Sequence, residues 1–183
     1  NQYSFRGVFT VGNGLPTTFN QQGLIVVGGG AGNSGLLDSA WEFFFADSST
    51  IYVADDDDTS PFSNGLQKWI FTSGSWSKVW SSVPGGATGL RGLTGVVNGN
   101  SVQLYGITAA TSGTLPTSVV ALSDTLTDTV FPSSGFTTLV TSSAGYVFRG
   151  VAFTPVPEPT AVALGLAGLA AAAMAMRRRG TKS

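Results

Sequence analysis

The sequence predicts an all-β body followed by one short apolar helix at the C-terminus. Short runs rich in β-branched and aromatic residues recur along the chain, separated by Gly, Asn, Asp, Ser and Pro, the pattern of strands joined by turns. No segment before residue 160 holds apolar residues at helical spacing. From Ala161 to Met176 the chain then carries 16 residues without a charge, closed by Arg177, Arg178 and Arg179.

The strands are expected in two sets of four. One set is 41–46 (Trp-Glu-Phe-Phe-Phe-Ala), Thr50 to Asp55, Gly65 to Thr72 and Ser75 to Ser81. The other is Leu90 to Val97, Val102 to Thr108, Ser118 to Ser123 and Phe136 to Ser142. Each run is short, and aromatic or β-branched side chains fill the alternate positions that line one face of a pleated strand. An Arg-Gly step before an apolar strand occurs three times, at Phe5-Arg6-Gly7-Val8, Leu90-Arg91-Gly92-Leu93 and Phe148-Arg149-Gly150-Val151. The second and third steps are 58 residues apart, and the first and second 85. The longer interval is about two of the roughly 40–50-residue units of a β-propeller.

Ile51-Tyr52-Val53-Ala54-Asp55 and Gly65-Leu66-Gln67-Lys68-Trp69 carry a resemblance to the repeat region of exported bacterial β-propellers. The fold it implies is a partial β-propeller of about three blades, each a four-stranded antiparallel sheet, across residues 1–154. A β-sandwich is the alternative. Propellers close with about four to eight blades, so the chain is expected to be the C-terminal part of a larger one. Phe148 to Thr154 would then open a blade completed by residues not present here. The start at Asn1, with neither an initiator Met nor a signal peptide, fits a removed leader or an upstream portion.

Residues 155–183 form a separate unit. Pro157 and Pro159 lack the backbone donors that a helix needs, so Val156 to Pro159 should be extended and open to an enzyme. Ala161 to Met176, at about 1.5 Å per residue, spans roughly 24 Å, short of the roughly 30 Å hydrocarbon core. The run is built from Ala and Gly with three Leu, which makes it a marginal anchor. The arginines, and the basic tail 177–183 as a whole, stay on the cytoplasmic side because charge is costly at the bilayer centre. A plain tail anchor and a buried Ala-rich helix are the other readings of these residues. In their order, Pro157-Glu158-Pro159, the apolar run and the arginine cluster resemble the PEP-CTERM sorting signal of Gram-negative bacteria. That resemblance implies recognition by an exosortase-type membrane processing enzyme. It also implies an inner-membrane precursor and a final place at the cell surface or outside the cell.

Composition narrows the chemistry of the rest. The chain has no His and no Cys, which removes the commonest general base, thiolate nucleophiles, disulfides and Cys-ligated zinc. Up to residue 156 the acids are Asp38, Glu42, Asp47, Asp55, Asp56, Asp57, Asp58, Asp124 and Asp128, against Arg6, Lys68, Lys78, Arg91 and Arg149. That balance gives no basic patch for nucleic acid. Gly30-Ala31-Gly32-Asn33-Ser34-Gly35 fits a dinucleotide fingerprint after the apolar run Leu24 to Val27, but Leu36-Leu37-Asp38-Ser39 does not open the helix that fingerprint needs. Asp55 to Asp58 is a weak Ca²⁺ candidate, since its four successive carboxylates lack the alternation of a calcium loop. Trp41, Trp69, Trp76 and Trp80, with Tyr52 and Tyr105, are either core or a platform for stacking sugars. The Arg-Gly arginines either pair with a carboxylate of the neighbouring unit or line a ligand channel.

No catalytic residue, metal site or cofactor is expected. The reading is a non-enzymatic exported surface or matrix protein with extracellular polysaccharide as a candidate partner. Its rivals are a permanently tail-anchored polysaccharide-binding module and a fragment of a propeller enzyme whose active site lies in missing blades.

Overall fold

The computed structural model describes residues 6–9, 25–29, 39–56, 65–110, 112 and 115–153. Ten strands are formed there: β1 Arg6–Phe9, β2 Ile25–Gly29, β3 Ala40–Phe45, β4 Thr50–Asp55, β5 Gly65–Thr72, β6 Ser75–Ser82, β7 Leu90–Asn98, β8 Ser101–Thr108, β9 Ser118–Thr125 and β10 Thr137–Thr141. They make one two-stranded and two four-stranded sheets, with orders β1-β2, β3-β4-β5-β6 and β10-β9-β8-β7. Every pairing is antiparallel. The all-β class and both sets of four strands agree with the sequence reading to within a residue or two at each end. The chain divides into two units, Asn1–Ala152 and Phe153–Ser183, and every strand belongs to the first.

Both large sheets are simple meanders, because each strand is followed by a connection short enough to turn it straight back onto its predecessor. In the two-residue Ser73-Gly74 turn between β5 and β6 both residues take positive φ, 54° and 82°. Such a pair of left-handed residues twists in the same sense as the strands it joins.

The two meanders pack face to face. Tyr52 and Ala54 of β4, Leu66 of β5 and Trp80 of β6 meet Leu90 and Leu93 of β7, Val102 and Leu104 of β8, and Val120 and Leu122 of β9 in one buried cluster. The alternation of side chains along a strand decides which residues take part: Val102 and Leu104 face inward, while Gln103 and Tyr105 between them are half-buried on the opposite face. A second cluster covers the other face of the first sheet, where Ile51, Val53 and Trp69 are joined by Val8 of β1. β4 is therefore buried along its whole length, which is why Ile51 to Ala54 reads as a continuous run with no polar alternation. The first strands of the two sheets also approach closely. Phe44 of β3 lies over Gly95 of β7, where a Cβ would stand 2.7 Å from the ring.

Two expectations change. Residues 148–153 form no strand. The Phe148 amide donates to the Thr117 hydroxyl at 2.7 Å and is thereby drawn to the start of β9 instead of opening a new ladder. The run before the glycine-rich fingerprint does form β2, but it pairs antiparallel with β1, whereas a dinucleotide-binding unit starts from parallel strands joined by a helix. The fingerprint itself, Gly30 to Gly35, lies outside the described residues. Among the described residues no helix is long and apolar enough to cross a membrane, and the run 161–176 lies outside them.

Candidate functional site

Two β-bulges build a charged cleft. In β3 the register jumps between Ala40 and Glu42, and in β7 it jumps between Leu90 and Gly92. The extra residue is Trp41 in the first sheet and Arg91 in the second, at equivalent places near the start of the first strand. A bulged residue is released from the ladder and its side chain is re-aimed. Both side chains turn to the rim, and there the Arg91 guanidinium lies 5.1 Å from the centre of the Trp41 ring, within cation–π reach. Nε of Arg91 also donates to Oδ2 of Asp56, which follows directly after β4. Glu42, next to the first bulge, ties the strands together by accepting from the Leu93 amide at 2.9 Å.

Trp41 and Arg91 line a cleft of about 120 Å³ together with Thr108, Thr117, Phe148 and Arg149. Trp41 is 58% exposed. Two of the three Arg-Gly arginines thus meet at one place, and Arg91 both pairs with a carboxylate of the neighbouring sheet and lines a cleft. The third, Arg6, lies at the start of β1. A larger cleft of about 270 Å³, beside Pro84 to Thr88 and Leu115-Pro116, has no charged side chain in its lining.

The other aromatics go elsewhere. Tyr52 and Trp80 belong to the core between the sheets and Trp69 to the second cluster. Trp76 meets Phe45 and Phe71, with ring centres 6.1 and 5.3 Å away. Tyr105 is half-buried on the outer face of the second sheet. Of the proposed stacking platform only Trp41 reaches the cleft. The acidic run is divided as well. Asp55 is fully buried and its Oδ2 accepts from the Ser39 amide at 3.4 Å and from Gln67 Nε2 at 3.5 Å, while Asp56 turns to Arg91. Asp57 and Asp58 lie outside the described residues. Asp55 and Asp56 thus point to different partners.

A charged network absent from the sequence reading sits between the sheets. Lys68 of β5 and Asp124 of β9 form an ion pair at 2.8 Å with both side chains 0% exposed. Nζ of Lys68 also donates to the carbonyls of Thr125 and Asp128, each at 2.7 Å, so all three of its protons are used. The Tyr52 hydroxyl donates to Oδ2 of Asp124 at 2.7 Å. Burial, together with the Asp124 charge on its hydroxyl, pushes the Tyr52 phenol far above its ordinary range. Oδ1 of Asp124 has no hydrogen-bond partner among the described residues. Strand alternation carried the signal: Lys68 is two residues from inward-facing Leu66, and Asp124 two from inward-facing Leu122. The network is a structural tie, because Tyr52 and the side chains of Lys68 and Asp124 are closed off from solvent.

Pro157, Glu158 and Pro159, and Arg177, Arg178 and Arg179, lie outside the described residues. Residues 155–179 match the family model of the PEP-CTERM protein-sorting motif. The match contains both the Pro-Glu-Pro element and the three arginines. The motif implies a membrane-associated precursor that is processed by an exosortase-type enzyme and exported to the cell surface or extracellular space. No curated protein and no solved structure matches the chain.

Proposed function

We propose that the chain is a non-enzymatic surface or matrix protein. Residues 1–154 would be a β-propeller-like ectodomain, and residues 155–183 the sorting signal that is removed after use. The observation that carries the reading is the match over residues 155–179. Two successive four-stranded meanders, packed face to face with bulges at equivalent places in their first strands, support the blade reading. The charged groups support a non-enzymatic role. There is no His or Cys in the chain, Asp124 and Asp55 are buried on structural partners, and Glu42 holds a backbone amide. In this reading Ala161 to Met176 crosses the inner membrane once, with Arg177 to Arg179 on the cytoplasmic side, and holds the precursor for processing.

Mass spectrometry of the extracellular fraction from the native host tests this. A processed product ends near Pro157, whereas a permanent tail anchor retains Arg179. Glu158→Gln combined with scrambling of Pro157 and Pro159 should leave the precursor in the membrane. Secretion and final mass unchanged by that variant would refute the proposal.

A further inference from the structure

We infer that the rim cleft between Trp41, Arg91 and Arg149 binds a carboxylated sugar, a uronic acid residue of a polysaccharide. The lining selects for negative charge. No carboxylate lines the cleft, and both of its charged side chains are guanidiniums. Its polar groups are donors. Arg91 uses Nε on Asp56, and its two terminal nitrogens have no hydrogen bond with the described residues. Arg149 and Nε1 of Trp41 have none either. The hydroxyl oxygens of Thr108 and Thr117 already accept from the amides of Ser118 at 2.8 Å and Phe148 at 2.7 Å, leaving their hydrogens to give.

Charge and shape narrow the class further. Among the described side chains Asp56 offsets one of the two guanidiniums, which leaves the other to a monoanion such as a carboxylate, gripped by a planar guanidinium with two parallel bonds. The exposed indole demands an apolar flank beside that anion. The axial C–H bonds of a pyranose ring supply it, because their slightly positive hydrogens meet the negative face of the ring system. The cleft is well below the roughly 300–1,000 Å³ of a site that encloses a drug-sized molecule, so it takes one ring and leaves the polymer to run on either side. Trp41 and Arg91 are fixed by bulges and by contact with each other before any ligand arrives, which lowers the ordering cost of binding.

The inference goes beyond the export reading and does not rest on it. The test is calorimetric titration of the full chain, kept in polyoxyethylene detergent so that no sugar headgroup competes. The probes are a galacturonic acid trimer, its neutral methyl ester, sodium acetate and a short peptide with a free C-terminal carboxylate. The trimer should bind at least 10-fold more tightly than each of the other three. Arg149→Gln and Trp41→Ala should each weaken it at least 10-fold, while far-ultraviolet circular dichroism stays that of the parent. An ester that binds as well as the acid overturns the assignment, as does acetate matching the trimer, which would make the cleft a simple anion site. A peptide matching the trimer would transfer the cleft to a protein partner and also overturns it. Unaltered binding by both variants places the ligand elsewhere. Because the titration uses purified chain, its failure leaves the sorting signal standing, and a failed secretion test leaves the cleft standing.

Discussion

Lys68→Met isolates the buried charge between the sheets. The change keeps most of the side-chain length and removes only the ammonium, which contacts Asp124, the Thr125 carbonyl and the Asp128 carbonyl at 2.7–2.8 Å. Since both side chains of the pair are 0% exposed, water cannot take the place of Nζ without prising the sheets apart. Removing one partner of a buried ion pair costs about 3–5 kcal/mol. Against the roughly 5–15 kcal/mol that holds a domain folded, the loss is severe. At a urea dependence of about 2 kcal/mol per molar it lowers the unfolding midpoint by about 2 M, read from the fluorescence of Trp80 in the adjacent core. The double variant Lys68→Met with Asp124→Leu removes both charges and should recover most of the loss. A single variant costing under about 1 kcal/mol, or a double variant as unstable as the sum of the singles, would refute the reasoning.

Tyr52 predicts an alkaline limit. Its phenol is held neutral in the fold, against an ordinary value of 10.0, so the stability it contributes is complete below pH 10 and is lost as pH rises further. The loss amounts to about 1.4 kcal/mol by pH 11, and Tyr52→Phe should lack that part of the slope in urea titrations across pH 9–11. Gly95→Ala places a methyl group 2.7 Å from Phe44 and 2.9 Å from Leu104. It should cost about 1–3 kcal/mol, measured as a lower thermal midpoint, and Phe44→Leu in the same chain should relieve part of it. Asp47 in the β3–β4 turn accepts from the Ser49 amide at 2.7 Å and the Ser49 hydroxyl at 2.9 Å. Although burial opposes it, those bonds hold its carboxyl below the ordinary 3.8. Asp47→Ala should cost about 1 kcal/mol at neutral pH, and the difference from the parent should vanish as pH falls through the carboxyl range.

The strands were legible because their sequence cues are local. Trp41 to Ala46 and Ser75 to Ser81 are dense in aromatics and end at Gly, Asp or Ser, and each formed where expected. The expected strand at Phe148 failed because its Arg-Gly step looks like the one at Arg91 but its amide finds the Thr117 hydroxyl, a partner 31 residues earlier in the chain. Composition could not reveal that competition. Lys68 and Asp124 are hard to place for a related reason: a charged residue in a strand reads as solvent-facing unless its parity is counted against Leu66 and Leu122. The meeting of Trp41 with Arg91 and Arg149 depends on two bulges, and a bulge leaves no mark in a single sequence beyond the glycine at 92.

Greasy surfaces tolerate slippage, since one aliphatic contact replaces another at little loss. An ammonium seated on three oxygens does not. To slide one meander along the other while keeping the same faces inward, a strand must move by two residues, roughly 6.6 Å. That is about twice the reach of any of the bonds Lys68 makes. The pair consequently acts as a locating pin, admitting one alignment of neighbouring sheets out of several that the oily faces alone would accept.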